Sequence, residues 1–377
     1  MHLTALKQEI KDYSKEIGID KLGFASADVF TELKERLIQQ EELQYASGFE
    51  KGTVEERTEP KRLFNGAKSI ISVAIAYPSR IENPPKSKKG ERRGIFCRAS
   101  WGEDYHHVLR RRLQKLADFI QEKMDSFDYK IMVDTGELND AAVAERAGVG
   151  FPGKNTLLIT EEYGSWVYLG EMITNVPFVP DSPVEDSCGD CRICLDACPT
   201  GALVQGGQLN SSKCLAFLTQ TKDDLPEEFI PKIGTRVYGC DTCQAVCPRN
   251  KGIDFHLHEE LEPEPEVAKP LLKPMLRMSN REFKEKFGHV AGAWRGKKPL
   301  QRNSIIALAH FKDATAVHEL GEVLKEDVRP MIRRTAAWAL GKIGTDEAET
   351  VLLRTKTEEP EETVRTVMQE ALEKFHS

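Results

Sequence analysis

Apolar positions near the start of the chain recur every three to four residues. Leu6, Ile10, Tyr13 and Ile17 share one face, which predicts an amphipathic helix over residues 3–17. Residues 20–26 (DKLGFAS) predict a short strand, and a polar, Glu-rich stretch predicts a helix over residues 29–45. Ser69 to Tyr77 is almost continuously apolar, as expected of a strand covered on both faces. Leu109, Leu113, Leu116, Ile120 and Met124 mark the stripe of a further helix. Tyr129 to Val133 predicts a strand ending at Asp134-Thr135-Gly136, and residues 139–147 predict a helix stopping at Gly148. Residues 156–160 and 166–173 predict a hairpin around Glu161 to Gly164. Pro177, Pro180 and Pro183 then punctuate the chain and suggest a boundary.

The far end has its own rhythm. A Pro- and Glu-rich connector, His258 to Pro274, leads to a helical stretch. From about Pro299 an Ala-Leu pair recurs at intervals of 32 residues, at Ala307-Leu308, Ala339-Leu340 and Ala371-Leu372. That interval suits a short run of HEAT-like helix pairs, which build binding surfaces rather than catalytic ones. The expected organisation is an α+β domain over 1–180, a cysteine-rich domain over 181–260, a connector over 261–298 and repeats over 299–377.

Composition narrows the class. A chain of 377 residues with 40% hydrophobic and 30% charged positions can bury a real core in two or three domains. The opening residues are charged and lack the apolar stretch of a signal peptide, and no run of about twenty apolar residues occurs. A cytoplasmic protein without a membrane span is therefore expected. The net charge of −7 argues against wholesale nucleic-acid binding, but basic runs exist at Lys86 to Arg93 and at Arg295 to Arg302. They are the expected phosphate contacts for any RNA partner.

The strongest chemical signal is Cys188-x2-Cys191-x2-Cys194-x3-Cys198-Pro199, a spacing that resembles the bacterial ferredoxin run. A second run, Cys240-x2-Cys243-x3-Cys247-Pro248, lacks one cysteine, and Cys214 between the runs is the candidate to replace it. Eight cysteines suffice for two four-iron, four-sulfur clusters. By ferredoxin logic Cys188, Cys191, Cys194 and Cys247 hold one cluster, and Cys198, Cys214, Cys240 and Cys243 hold the other. Structural zinc is the alternative, but it needs four ligands and leaves the third cysteine of each run surplus. Electron carriage alone would not require the residues before and after the clusters. They are expected to feed a cofactor or substrate in the N-terminal domain.

Asp134-Thr-Gly, then Glu145 to Ile159 (ERAGVGFPGKNTLLI), then Gly164 to Glu171, followed by the two cysteine runs, is similar to the epoxyqueuosine reductase family. The resemblance covers about Arg57 to Pro248 plus the repeat tail. It implies a nitroreductase-like α/β cobalamin domain, a ferredoxin-like two-cluster domain and a HEAT-like tail. The implied activity is cobalamin-dependent removal of the epoxide oxygen of epoxyqueuosine at the tRNA wobble position, leaving queuosine. A tRNA anticodon stem-loop and an external electron donor are the implied partners, and a monomer is expected.

The same resemblance implies Asp134 as proton donor and cofactor contact, with a carboxyl pKa raised by burial against the corrin and substrate. It implies cobalamin contacts at Arg57, Cys97, Lys154, Asn155, Thr156 and Leu158. Asp134 also sits at a strand end, where α/β proteins present catalytic groups, although capping a turn is the plainer reading. Asp104-Tyr105-His106 superficially resembles a cobalt-ligating signature but has Leu109 where glycine is required, so His106 is not assigned as a ligand. Leu138-Asn139-Asp140 departs from the family's usual Glu-Arg pair. The alternative function is a reductive dehalogenase-like cobalamin enzyme acting on a small molecule.

Overall fold

The structure is a computed structural model that describes residues 3–376. The chain divides into two compact units. One comprises residues 1–80, 103–214 and 241–262; the other comprises 81–102, 215–240 and 263–377.

The first unit is built on four strands: β1 (Lys21–Ser26), β2 (Ser69–Ala76), β3 (Tyr129–Met132) and β4 (Val167–Thr174). Their order is β1-β2-β4-β3, and every ladder is antiparallel. All eight residues of β2 are buried, as the apolar run predicted, because strands flank it on both sides. Its longer helices are α1 (Leu3–Glu16), α2 (Thr31–Glu42), α3 (Tyr105–Lys123) and α4 (Asp140–Arg146). α1 buries Leu6 and Ile10, and its Tyr13 stacks on Phe119 of α3 at 4.3 Å. α3 buries Leu109, Leu113, Leu116 and Ile120, the predicted stripe, and starts where the Asp104 side chain accepts from His106 N–H. α4 packs Val143, Ala144 and Ala147 against Ile70, Ala74, Met132 and Ile173 on one face of the sheet. Each of the larger side chains, Val143, Ile70, Met132 and Ile173, contributes about 2 kcal/mol of burial.

The predicted hairpin is corrected. Leu158–Ile159 pairs with Phe151–Pro152, and only a single bridge joins Thr160 to Gly164. The second half of the expected hairpin is β4, which lies between β2 and β3. A strand with eight residues of non-local ladder on one side outcompetes a two-residue local pairing. The antiparallel sheet also means that Asp134 does not lie at the carboxyl edge of a parallel sheet.

The second unit carries the repeat. Helices α5 (Lys297–His310), α6 (Val317–Glu326), α7 (Pro330–Ile343), α8 (Asp346–Lys356) and α9 (Glu362–Glu373) bury the recurring Ala-Leu pairs of α5, α7 and α9. Gly341 of α7 lies where a Cβ would come within 2.7 Å of the Ala371 Cβ, so α7 and α9 approach closely only because the side chain is missing. The short strand Arg236–Tyr238 pairs in parallel with Ile95–Phe96.

Arg302 corrects a second expectation. It is 1% exposed and therefore not a phosphate contact. Its guanidinium donates to the carbonyls of Thr221 (2.9 Å), Asp223 (2.9 Å) and Leu218 (2.7 Å), and to Asn303 Oδ1 (3.1 Å). Burial pulls its pKa down to about 10 against the pull of the Asp224 and Asp223 charges. The side chain is a clamp for residues 218–223. Replacing it with alanine orphans three carbonyls and should cost on the order of 3 kcal/mol. Urea unfolding of Arg302→Ala, followed by tryptophan fluorescence, should show a clearly lowered midpoint; an unchanged midpoint would mean that the clamp is dispensable.

Candidate functional site

Asp134 follows β3 and has a left-handed backbone, φ 52°, unusual for a residue with a side chain. Three ties hold this turn. Asp134 N–H donates to Asp140 Oδ2 at 2.8 Å, Thr135 N–H turns back to the Val133 carbonyl, and Arg110 Nη2 donates to Thr135 Oγ1 at 3.0 Å. Asp140 is placed by the start of α4, where Asn139 caps the helix by accepting from Ala142 N–H.

The bent turn aims the Asp134 carboxyl at His106. His106 Nε2 lies 3.2 Å from Asp134 Oδ2, and its Nδ1 lies 2.6 Å from Asp104 Oδ1. Both ring nitrogens are thus engaged by carboxylates. Tyr105 stacks on His106 at 4.2 Å and on Tyr168 at 4.4 Å, and its hydroxyl also reaches Asp134. The result is an Asp104–His106–Asp134 relay that ends in a carboxyl still 59% exposed.

Charge decides the proton positions. Burial pulls His106 down, but the hydrogen bonds and charges of Asp104 and Asp134 outweigh it and lift the imidazole to about 9. The walls of the recess push Asp134 up, yet His106 and the Tyr105 hydroxyl outweigh them, so its carboxyl lies below the ordinary value. In the protein alone the histidine therefore holds the proton, whereas the raised Asp134 was expected against bound corrin and substrate. Behind the turn the order reverses. Desolvation, aided by the Asp134 charge, lifts Asp140 to about 7, and desolvation lifts fully buried Glu171 of β4 well above the carboxylate range.

The turn at Gly153 to Thr156 brings together three of the other expected residues. Asn155 is 4% exposed; its Oδ1 accepts from Leu157 N–H, while its Nδ2 has no protein acceptor. Thr156 has φ 70°. The Lys154 ammonium is bonded to the carbonyl of Gly189, inside the first cysteine run. Leu158 points into the core at 3% exposure, leaving no side chain there to meet a ligand. Arg57, at the end of the helix Val54–Thr58, is half-buried, and this desolvation lowers its pKa. Cys97 belongs to the other unit. Its N–H donates to the Tyr238 carbonyl and its Sγ lies 3.7 Å from Ser100 Oγ, and Gly239 packs where a Cβ would meet that sulfur.

None of the nine cysteines is joined in a disulfide. Cys188, Cys194 and Cys247 are near neighbours: burial raises the thiols of Cys188 and Cys194, and the Cys247 charge raises both further. Cys247 of the second run thus lies within electrostatic reach of two cysteines of the first. Burial also pushes Cys198 up, but backbone N–H groups of Leu203, Thr200 and Ala202 outweigh it and stabilise its thiolate. Among the described residues no three His, Cys, Asp or Glu side chains converge on a single ion.

Sequence reasoning missed Asp104, Tyr105 and Glu171 as members of the site and met Asp140 only as a departure from a pattern. Glu171 had one signal, a lone charge in an apolar strand.

His106 should titrate near 9 by nuclear magnetic resonance, and Asp134→Asn should move it toward the unperturbed 6.5. The raised histidine stabilises the fold fully below 6.5 and loses that contribution as pH rises through about 9. The lowered carboxylates of Asp104 and Asp134 contribute above 3.8 and lose their contribution as pH falls below it. A His106 titration unchanged by Asp134→Asn would refute the coupling.

Comparison with known proteins matches the same regions. The family model "Epoxyqueuosine reductase QueG, DUF1730" matches residues 57–135, "4Fe-4S double cluster binding domain" matches 187–250 and "HEAT repeats" matches 295–373. An epoxyqueuosine reductase of Bacillus anthracis is 62% identical over 373 residues, 99% of this chain and 98% of that protein. A crystal structure of epoxyqueuosine reductase with an epoxyqueuosine-modified tRNA-Tyr stem loop superposes with a TM-score of 0.97 at 60% identity, covering 100% of both chains. The Bacillus subtilis enzyme, solved "with the Asp134 catalytic loop swung out of the active site", gives 0.96 at 59% identity over 99% of this chain and 100% of that one. With its double-cluster cysteines, its repeat tail and near-full-length identity to these relatives, the chain belongs to the epoxyqueuosine reductase family.

Proposed function

We propose that the chain reduces the epoxide of epoxyqueuosine at the wobble position of tRNA to the alkene of queuosine. The observation that carries this reading is the Asp104–His106–Asp134 relay, ending in an exposed carboxyl on a strained turn. It is supported by the relatives' names and by the stem loop bound in one of their structures. The dehalogenase reading loses its support, because full-length kinship lies with the tRNA-modifying enzymes.

The chemistry sets the requirements. Two C–O bonds break, a C=C bond forms, and the oxygen departs as water after taking up two electrons and two protons. Bound cobalamin would supply a strongly reducing, nucleophilic metal centre. Asp134 hands a proton to the departing oxygen, and His106 passes its own proton to Asp134 across the 3.2 Å contact. Asp104 keeps the ring oriented through Nδ1. The donor set fits a cofactor rich in amide carbonyls and phosphate: the buried Asn155 Nδ2 needs an acceptor, and the Arg57 guanidinium is desolvated. Lys154, Thr156 and Cys97 are further proposed contacts, with Leu158 contributing at most backbone.

Cys188, Cys191, Cys194 and Cys247 would hold one four-iron cluster and Cys198, Cys214, Cys240 and Cys243 the other, and the bound clusters would supply single electrons drawn from an external donor. The linear division into a cobalamin domain (1–180), a cluster domain (181–260), a connector (261–298) and a repeat tail (299–377) is part of the same proposal. So are monomeric action and a cytoplasmic location. Among the described residues no helix is long and apolar enough to cross a membrane. Exposed Lys86, Lys88 and Lys89, with the half-buried Arg92, Arg93, Arg295, Lys297 and Lys298, are the remaining candidates for phosphate contact.

Asp134→Asn should retain about eight irons and one cobalt per chain while turnover of modified stem loop falls by about a hundredfold or more. Full activity would remove Asp134 from the mechanism. Binding of the stem loop should weaken as salt rises, with a slope reduced by Lys86→Glu and Lys89→Glu; salt-insensitive binding would overturn phosphate recognition.

A further inference from the structure

The Lys154 side chain is held against the first cysteine run by its own turn and by a neighbouring hairpin. The turn follows the short ladder between Phe151–Pro152 and Leu158–Ile159. It is closed by Gly153 N–H donating to the Leu157 carbonyl at 2.8 Å and by Thr156 N–H donating to the Gly153 carbonyl at 2.9 Å. The tip of a second hairpin, which pairs Leu203–Gln205 with Gln208–Leu209, lies over this turn, and Gly207 N–H donates to the Lys154 carbonyl at 3.1 Å. A Cβ on Gly206 would come 3.0 Å from Lys154 Cγ and 3.3 Å from its Cδ, so the missing side chain makes room for the lysine stem. That stem ends in an ammonium that donates to the Gly189 carbonyl, one residue beyond Cys188. All of these residues belong to one compact unit, together with Cys188, Cys191, Cys194 and Cys247.

The charge delivered there is not cancelled. The partner of the ammonium is a neutral carbonyl, not a carboxylate. Two other charged residues stand close to Cys188. Asp186 Oδ1 accepts from Cys188 N–H at 2.7 Å, and Arg249 Nη2 donates to the Ser187 carbonyl at 3.0 Å. Both are exposed, so water and salt screen them, whereas Lys154 is half-buried and is screened less. Arg192 and Asp196 offset each other as a pair at 3.5 Å. Burial raises the Cys188 thiol, and the backbone N–H and charge of Lys154 pull against that rise.

Cys188, Cys191, Cys194 and Cys247 are the set proposed for one four-iron cluster, and the Cys247 charge reaches both Cys188 and Cys194. Four thiolates around an iron–sulfur core make an anion, whose reduction potential follows its net charge, the hydrogen bonds to its sulfurs and its exposure to solvent. Reduction adds a further negative charge, so a fixed cation beside one ligand stabilises the reduced form more than the oxidised form. We propose that the Lys154 ammonium raises the reduction potential of the cluster held by Cys188 and so eases its loading by the external electron donor. In that step one electron leaves the donor and enters the cluster; no bond forms or breaks and no proton moves. Lys154 acts through the cluster and does not touch the substrate. This role rests on the cluster assignment proposed above and is separate from any contact of the same turn with the cofactor.

The test is an anaerobic redox titration of the full chain carrying its clusters, followed by electron paramagnetic resonance. Wild type is compared with Lys154→Met and Lys154→Gln, which remove the charge, and with Lys154→Arg, which keeps it. Each protein should retain about eight irons. Loss of the charge should make one cluster about tenfold harder to reduce at a given potential, a fall of about 60 mV in its midpoint for a one-electron couple. The second cluster should keep its midpoint, and Lys154→Arg should stay near wild type. Unchanged midpoints in Lys154→Met and Lys154→Gln would overturn the proposal, as would an equal shift of both clusters or the same fall in Lys154→Arg. If Lys154→Met and Lys154→Gln both lose iron, the lysine is a strap for the cysteine run and the tuning role falls. A wild type without iron would overturn the cluster assignment and this role with it. The titration needs no modified stem loop, so its outcome is independent of whether the wild type reduces the epoxide.

Discussion

The hydrogen bond from Asp134 N–H to the Asp140 carboxyl holds the bend on which the site depends. A left-handed aspartate costs roughly 1–2 kcal/mol relative to an ordinary turn, and the bond to Asp140 offsets that cost. The bend points the carboxyl at His106 instead of letting it continue the alternation of β3. Because Asp140 starts α4, and α4 lies on the sheet through Val143 and Ala144, the bend is ultimately supported by the core of its unit. The Bacillus subtilis relative was solved with its Asp134 catalytic loop swung out of the active site.

Around that bend, four carboxyls and one histidine are sorted by their surroundings. Asp104 and Asp134 face the imidazole and are driven toward the charged form, while Asp140 and Glu171 lie in the dry sheet–helix layer and are driven toward the neutral form. Environments that push like groups apart are the ordinary means by which one site holds both proton donors and proton acceptors at neutral pH. Without the histidine, Asp134 would lose its hydrogen-bonded partner.

In the second unit a comparable organising part is played by Arg302, whose planar fork gathers carbonyls of residues 218–223. Those residues lead to the strand Arg236–Tyr238, and Asn303 donates to the Thr219 and Val237 carbonyls. The first turns of the repeat helices therefore serve as scaffolding for the polypeptide that precedes Cys240.

Much of this was legible in residue order, because the information was local. The stripe of α3, the buried run of β2, the spacing of eight cysteines and the 32-residue recurrence each depend on neighbours within a few turns or on a repeated interval. What stayed hidden depended on partners far apart in sequence. Residues 166–173 looked like half of a hairpin, but β2, about a hundred positions earlier, offered a longer ladder. Arg302 looked like a surface cation, but carbonyls some eighty residues away supply its shell. Asp134 looked like a carboxyl that burial would raise, but a histidine 28 residues before it reverses the shift. The sequence by itself determined which elements form and which metal chemistry the cysteines can support. Tertiary structure decided where the protons sit, since a pKa is set by the dielectric and charges around a group, and only folding brings those together.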